Sequence, residues 1–355
     1  QRYTLHLKRK LMNSIESLFE ELDQIDNFAV FTNNGPYEDQ ELPVRFNCHL
    51  IIMGCYLFKR GVIKRDRLAK LELFFTSLIA GRSSYNYKFR ESFVSKRDTV
   101  NGVMGPAWIA EALLYAGQSL DRSDFCAEAI RLLRCHPFNQ KSNCWHRVTP
   151  CGMLMTIDYT FNHQLWFSEQ CLKTGKEDLV SSANMFLEHH IPKLRVNKHG
   201  VIHHYSPIIK FYQKPNLTHL IDIYYSFGQY LLSGGYQKKK SVAYQSFNLK
   251  ALAGCYSLSK DLSCWTSDKF MQIKKFELTP RVNKDLLESS YGYQYNPTIY
   301  EVLYWNELCD PNKWSSSGWG SDGMVFSPDQ MPLDTLIQKL RIYEAVSYLE
   351  SGDES

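Results

Sequence analysis

Helical periodicity recurs along almost the whole chain, and it is interrupted mainly by short connections that contain glycine. Apolar residues repeat at intervals of three and four, which is the spacing that places side chains on one face of an α-helix. Because the connections are short, consecutive helices are predicted to pack as antiparallel hairpins. The predicted helices span residues 3–24, 43–59, 64–80, 106–118, 122–134, 154–174, 177–190, 216–233, 241–258, 298–308 and 333–350.

The predicted helices are of two kinds. Segments 158–172 and 217–232 are apolar around much of their circumference, which suits an inner ring, whereas 128–134 and 240–250 carry more charge, which suits an outer ring. Strand signals are rare and short. The pattern therefore predicts an all-α fold in which helical hairpins close into a double ring, with a few short strands in loops. No long linker is found, so residues 1–355 are predicted to form a single domain.

Composition limits the classes of function. With 41 basic and 37 acidic side chains, the net charge of +4 is too balanced to indicate a nucleic-acid partner. The ten cysteines form no Cys-x-x-Cys pair, which predicts buried thiols in a reducing, cytoplasmic protein. No apolar run reaches the roughly 18 residues that a membrane span requires. No signal-peptide pattern opens the chain.

Several catalytic signatures are absent from the sequence. It contains no phosphate-binding loop, no Gly-x-Gly-x-x-Gly, no Gly-x-Ser-x-Gly elbow and no His-Glu-x-x-His. One cluster resembles a metal-ligand set, but its spacing fits no closed zinc site. Its members are Cys135, His136, Cys144 and His146. The sequence therefore predicts no cofactor and no metal.

The densest group of polar side chains lies in the predicted helix 154–174. Asp158 and Asn162 are four residues apart and are predicted to share a face, with His163 and Trp166 on an adjacent stripe. A carboxylate, an amide, an imidazole and an indole within two turns can hydrogen-bond to a sugar and stack against it. The competing interpretation is a buried helix whose polar groups satisfy one another. Four polar groups on an apolar helix are, however, costly to bury.

Two further groups lie where predicted helices begin. Arg45 and His49 share a helix face, and an arginine there can hold a carboxylate. Trp108 and Glu111 project from the first turns of a helix that follows the glycine-containing stretch 101–105. Glu111 has a competing interpretation as the structural partner of a basic side chain.

Three more candidates come from the second half of the chain. His203 and Tyr205 share one face of a short predicted strand, and such a pair can act as acid and base, although a surface histidine is the commoner outcome. Asp222 lies on a predicted helix, where it faces either the pocket or a neighbouring histidine. Trp319 lies in a Ser- and Gly-rich stretch that suits a lid or an ordinary surface loop.

Three segments within this series of hairpins, Glu41–Asn47, Gly102–Trp108 and Phe161–Phe167, resemble the six-hairpin glycosidase superfamily. More narrowly, they are similar to uncharacterised members encoded with bacterial surface-polysaccharide genes. The resemblance covers roughly residues 40–330. It implies an (α/α)6 toroid with a carbohydrate pocket at one end.

The resemblance implies two kinds of chemistry. Members include unsaturated glucuronyl hydrolases, which use an aspartate as acid and base, and Asp158 or Asp222 could serve that role. Related toroids include polysaccharide lyases, which use Asn, His and Tyr around a uronic acid, and the Asn162–His163 pair resembles that set.

These observations predict a carbohydrate-active enzyme that cleaves a glycosidic bond in a bacterial polysaccharide or oligosaccharide. Asp158 or Asp222 would be the general acid, with a pKa raised by burial, and His163 or a second carboxylate would activate water. The predicted substrate-binding residues are Arg45, His49, Trp108, Glu111, Asn162, Trp166, His203 and Trp319.

Two alternatives remain open. The first is a polysaccharide lyase or a uronate C5-epimerase, in which Asn162 and Arg45 neutralise the uronate carboxylate and His163 or Tyr205 takes the C5 proton. The second is a glycan-binding protein of a polysaccharide assembly system, without catalysis.

Overall fold

The computed structural model describes residues 17, 20, 32–33, 40–91, 98–203, 234–292, 295–296, 298–309 and 340–341. Its helices are α1 (Val44–Lys59), α2 (Arg65–Ala80), α3 (Met104–Leu120), α4 (Ser123–Arg134), α5 (Phe161–Lys173), α6 (Glu177–His190), α7 (Gly234–Ala243), α8 (Gln245–Leu258), α9 (Asp268–Ile273), α10 (Pro280–Leu287) and α11 (Thr298–Cys309). The strands are β1 (Thr32–Asn33), β2 (Gln40–Glu41), β3 (Phe138–Asn139), β4 (Cys144–Val148) and β5 (Leu154–Ile157). The predicted helix 216–233 lies outside the described residues, and so do nearly all residues of the predicted helices 3–24 and 333–350.

The described helices form an inner row and an outer row. In the inner row, α1, α3, α5, α8 and α11 pack side by side in chain order, while α2, α4 and α6 each pack on the preceding inner helix. Most side chains of α1, α3, α5 and α8 are buried, whereas α2, α4 and α6 bury only a narrow stripe. The prediction of a mainly helical fold built from hairpins is therefore confirmed.

The tight turns between paired helices depend on backbone conformation. Gly61, after α1, has φ +72°, and Asp121, after α3, has φ +55°. Both values lie in the left-handed region, which glycine adopts without strain and aspartate tolerates. These residues reverse the chain within a few positions, so α2 and α4 fold back onto α1 and α3.

A small antiparallel sheet of order β3-β4-β5 precedes α5. This sheet was not predicted from the sequence. Leu154–Ile157 was predicted to be the start of a helix, but it pairs with β4 as a strand. Helix α5 begins only at Phe161. Asp158 therefore lies in the connection before the helix, and the prediction that it shares a helix face with Asn162 is wrong.

The sheet is attached firmly to α5. The Gln164 side chain accepts a hydrogen bond from Trp145 N at 2.9 Å and donates one to Trp145 O at 2.9 Å. The Trp145 ring lies 5.1 Å from the ring of Phe167 and 5.8 Å from that of Phe186. These contacts bind β4 to both α5 and α6, and they fix the segment that carries Asp158.

The charged segment 240–250 does not form an outer helix. It is divided between the end of α7 and the start of α8, which belongs to the inner row. Lys250 is buried, and its ammonium group lies 2.8 Å from Glu111 Oε1. Its charge is therefore compensated inside the protein, which a count of charged residues along the sequence does not show.

All ten cysteines are free thiols, and seven of them are buried. Among the described helices, none is both long enough and apolar enough to cross a membrane.

Gly105, in the first turn of α3, has no room for a side chain. A Cβ atom there would lie 2.2 Å from Val100 O and 2.6 Å from the Phe89 ring. We expect Gly105→Ala to lower the free energy of unfolding by about 1–3 kcal/mol, because the backbone at Val100 must move. Gly81→Ala is the matched control, since its nearest neighbour would lie 3.4 Å away. Urea unfolding curves measure both, and equal stabilities for the two variants would contradict this packing.

Candidate functional site

The candidate site lies where the N-terminal ends of α1, α3 and α5 meet. The 98–103 segment leads into α3, and the 158–160 segment leads into α5. A hydrogen bond of 2.9 Å from Val103 N to Asp158 Oδ2 joins the two segments. Polar side chains from separate parts of the chain therefore converge at one end of the inner helices.

Asp158 is the centre of this arrangement. Its Oδ2 also accepts a hydrogen bond from His163 Nδ1 at 2.8 Å, and its Oδ1 accepts one from Thr160 N at 3.0 Å. Burial alone raises the pKa of Asp158, but the His163 ring, the Arg147 charge and the Val103 amide outweigh burial and hold it well below the usual range. Asp158 is thus ionised at neutral pH. The expectation that burial raises the pKa of Asp158, as a general acid requires, is therefore wrong.

The His163 ring is oriented by Asp158. Because a carboxylate only accepts hydrogen bonds, Nδ1 of the neutral ring carries the proton and Nε2 is left as an acceptor. No other described residue bonds to Nε2, and the side chain is 23% exposed. The imidazole can therefore take a proton from a molecule outside the protein, while Asp158 stabilises the imidazolium that forms.

Gly102 makes the close approach possible. A Cβ atom at this position would lie 2.0 Å from Asp158 Oδ2 and 2.8 Å from His163 Nδ1, and its φ is +65°. Both the space and the backbone conformation exclude other residues. In the sequence, Gly102 was recognised only as part of the glycine-containing stretch 101–105.

An arginine that the sequence analysis did not select lies beside this pair. Arg147, on β4, donates to Asp98 Oδ2 at 3.0 Å and to Thr156 Oγ1 at 2.5 Å. Asp98 Oδ1 in turn accepts from Gly102 N at 2.8 Å, and the Arg147 side chain is 24% exposed. Arg147 therefore adds positive charge next to Asp158 and remains accessible to solvent. No pattern in the sequence singles it out, because buried and part-exposed residues do not alternate along β4.

Arg45, His49 and Trp108 lie close together in the interior. The Arg45 guanidinium is 4.4 Å from the Trp108 ring centre and 3.4 Å from Glu41 Oε2, and it is 2% exposed. Glu41 also pairs with Arg90 at 3.2 Å. The His49 ring lies 6.2 Å from that of Trp108. Because these groups are buried and Arg45 is already paired, the prediction that they line an open pocket is corrected.

Glu111 is the structural partner of basic side chains, which was the competing interpretation of this residue. Its Oε1 lies 2.8 Å from Lys250 Nζ and 3.4 Å from Lys173 Nζ, and Glu169 completes the cluster at 2.9 Å from Lys173. Burial raises the pKa of Glu111, but the two ammonium charges outweigh burial and lower it. The group is a buried ion cluster that joins α3, α5 and α8.

Trp166 belongs to the same buried region. Its ring stacks on Phe247 at 4.6 Å, its Nε1 donates to Phe247 O at 3.1 Å, and Lys250 Nζ lies 3.7 Å from the ring centre. The ring is fully buried. The prediction that Trp166 is a surface platform for a sugar is therefore wrong.

The remaining predicted residues are dispersed or not described. Asn162 is buried in the first turn of α5, beside His163. His203 is exposed, and it follows the isolated bridge between Val196 and Ile202. The predicted residues outside the described part of the chain are Tyr205, Asp222 and Trp319.

The cysteines and histidines that resemble a metal-ligand set bond to other groups instead of converging on one point. His136 Nδ1 bonds His146 O at 2.9 Å, and its Nε2 lies 3.2 Å from the Asn86 amide. Burial lowers the pKa of His136 to about 4. Cys144 lies 3.3 Å from His190 rather than from His136. Within the described residues, no group of three potential ligands has a geometry that could hold a metal ion.

The chain is similar to archaeal glycosylation protein Q from Haloferax volcanii, with 28% identity over 294 residues, which covers 79% of this chain and 79% of that protein. No family model matches the chain. No solved structure matches it either.

The ion cluster leads to a stability prediction. We expect Lys250→Met to lower the free energy of unfolding by about 3–5 kcal/mol, because it leaves two buried carboxylates with only Lys173 to compensate them. Lys173→Met is the matched control, since Lys173 is 24% exposed and water can replace part of its interaction. Urea unfolding measures both variants, and a larger loss for Lys173→Met would contradict the assignment.

The lowered pKa of Asp158 leads to a pH prediction. A group whose pKa is lower in the folded state stabilises the fold above its ordinary value, 3.8 here, and this stabilisation is lost as the pH falls below that value. We expect Asp158→Asn to make the free energy of unfolding less dependent on pH in the acidic range. Asp261→Asn, at an exposed position, should leave the wild-type slope unchanged. An unaltered slope in Asp158→Asn would contradict the prediction.

Proposed function

We propose that this protein is a glycan-processing enzyme that moves a proton on a uronic acid residue, with His163 as the base. The observation that carries the proposal is the bond between ionised Asp158 and His163 Nδ1, which leaves Nε2 available in a part-exposed ring. The similarity to a protein named for glycosylation supports a glycan as substrate. Because that relative is archaeal, the proposal is not restricted to bacterial glycans.

The reaction begins with removal of the hydrogen at C5 of the uronic acid. His163 Nε2 takes the proton, and the electron pair moves toward the sugar carboxylate. Asp158 stabilises the resulting imidazolium, since it already accepts a hydrogen bond from Nδ1. Return of a proton to the other face of C5 gives an epimer, whereas loss of the group at C4 gives a C4–C5 double bond. The predicted second acid, Tyr205, lies outside the described residues.

Arg147 is the proposed partner of the sugar carboxylate. A planar guanidinium binds a carboxylate through parallel hydrogen bonds, and Asp98 and Thr156 already fix its orientation. Arg147 is about one-quarter exposed, whereas Arg45 is buried and paired with Glu41. Neutralising the carboxylate acidifies the C5 hydrogen, because negative charge moves onto that group when the proton leaves. Asn162, next to His163, remains a proposed substrate contact.

We also propose that the inner row of helices closes into an (α/α)6 toroid that forms one domain. The chain-order packing of five inner helices supports closure. The Arg45 guanidinium in α1 lies 6.0 Å from the ring of Tyr295, which shortly precedes α11, so the two ends of the row are close together. The candidate site then lies at the end of the ring where the inner helices begin.

Hydrolysis of a glycosidic bond remains the second candidate. It requires a carboxyl that is protonated near neutral pH, and the ionised Asp158 does not provide one. Asp222 is the predicted alternative and lies outside the described residues. A glycan-binding protein without catalysis is the third candidate, and it predicts saccharide binding with no chemical change.

The test is to incubate the protein with uronic acid oligosaccharides in deuterated water. We expect either deuterium at C5 of an epimerised residue, detected by mass spectrometry and NMR, or the ultraviolet absorbance of a C4–C5 double bond, whose C5 carries no hydrogen. New reducing ends with neither deuterium at C5 nor the absorbance of a double bond would instead establish the hydrolase. Binding without any change over long incubation would establish the binding protein.

Variants assign the roles of the residues. We expect His163→Gln and Asp158→Asn to lower the rate of exchange or elimination by about 10²–10⁴-fold, because the first removes the base and the second removes the carboxylate that orients it and stabilises its imidazolium. Arg147→Gln should raise KM for a uronic acid substrate and also lower kcat, because the negative charge on the carboxylate grows as the C5 proton leaves. His199→Gln and Arg65→Gln, at exposed positions, are the controls and should retain full activity. Full exchange activity in His163→Gln would refute the proposal.

A further inference from the structure

The turn between β4 and β5 carries an exposed apolar surface. Met153, Leu154 and Tyr85 are 64%, 61% and 51% exposed, and we refer to them together as the apolar tip. Tyr85 N donates to Pro150 O at 3.1 Å, and a Cβ atom at Gly152 would lie 2.6 Å from the Tyr85 ring. Tyr85 is thus packed against the turn that carries Met153 and leads into Leu154.

The turn is held rigidly. Thr149 N donates to Met153 O at 3.0 Å, and Met153 N donates to Thr149 Oγ1 at 2.9 Å. Gly152 closes the turn with φ +90°. Because the backbone is already ordered, an interaction at the apolar tip costs little conformational entropy.

A groove of about 780 Å³ separates this turn from α4. Its apolar lining includes Ile130, Val148 and Leu154 of the apolar tip. Its charged lining residues are all basic, and we refer to them as the basic rim: Arg131, Arg134 and Lys176. An apolar surface is therefore bordered by positive charge.

Nearby carboxylates compensate this charge only in part. Glu128 is 12% exposed and is shared by Arg82 and Arg131, which lie 3.0 Å and 2.7 Å from it. Asp178 pairs with Arg134 at 2.8 Å. Lys176 is exposed and adds a further positive charge. The next residue, Glu177, is also exposed, so four bases stand near three carboxylates and the excess is one positive charge.

We propose that the apolar tip and the basic rim dock this protein onto the surface of an anionic lipid bilayer. A protruding turn with a tyrosine and two aliphatic side chains suits the boundary between head groups and acyl chains. Basic side chains beside it are attracted to anionic head groups. All three side chains of the apolar tip are more than half exposed, which suits a lipid surface better than an acidic peptide held in a groove.

The test uses co-sedimentation of the full chain with vesicles. We expect binding to an equimolar mixture of phosphatidylcholine and phosphatidylglycerol, and weaker binding to phosphatidylcholine alone. The double variant Met153→Ser/Leu154→Ser should lose at least about tenfold in affinity for the mixture, because its apolar contribution is removed. Leu73→Ser is the matched control, since Leu73 is 70% exposed on α2, and it should bind as the wild type does.

Two further measurements keep the test decisive. Lys176→Glu should remove most of the preference for the anionic mixture, since it reverses one charge of the basic rim. Cys151 is an exposed thiol within the turn, so an environment-sensitive fluorophore attached there should shift to shorter wavelength when vesicles are added.

Four results would overturn the proposal. They are no sedimentation with the anionic mixture, equal binding by the Met153→Ser/Leu154→Ser variant, equal binding to both vesicle types, and binding of an oligoglutamate peptide but not of vesicles. None of the altered residues belongs to the Asp158–His163 site. Membrane binding and enzymatic activity can therefore fail independently of each other.

Discussion

The buried carboxylate of Asp158 organises the end of the molecule where the inner helices begin. It accepts hydrogen bonds from Val103 N before α3, from Thr160 N before α5 and from the His163 ring. An ionised group so deeply buried is stable only because these donors and the nearby Arg147 charge replace the water that it has lost. The two loops, the imidazole and the glycine at position 102 therefore depend on one another, and none of them can move alone.

The same principle of paired charge governs the interior. Glu41 lies between Arg45 and Arg90, and Glu111 lies against Lys250. Buried ion pairs of this kind contribute little net stability compared with apolar side chains, but they allow few alternative arrangements. In this protein the Glu111 cluster links α3, α5 and α8, and Glu41 links the start of α1 to the loop that carries Arg90. These buried ion pairs therefore restrict how the helices can pack, in addition to supplying candidate functional groups.

Sequence periodicity was sufficient to find most of the described helices. Helix α1 was predicted at 43–59 and lies at Val44–Lys59, and helix α6 was predicted at 177–190 with those same bounds. Leu154–Ile157 was assigned wrongly because four apolar residues fit either a helix or a strand, and only pairing with β4 decides between them. Local propensity cannot supply that partner.

The candidate site was only partly predictable. Asp158 and His163 were selected because polar groups on an apolar segment are unusual, and the structure brings these two together. Arg147 and Asp98 were missed, since their pairing joins residues 49 positions apart. Trp166 was misjudged because composition cannot tell an indole that faces solvent from one stacked on Phe247. Burial is decided by tertiary packing, and the sequence pattern contains no direct measure of it.

The two strands of the β4–β5 hairpin connect regions of different chemistry. Thr156, which holds Arg147, is two residues from exposed Leu154, a separation of about 7 Å along an extended strand. The other end of this short hairpin is hydrogen-bonded to α5 through Gln164. Any large body that contacts Leu154 therefore lies against the strand whose Thr156 holds the Arg147 guanidinium.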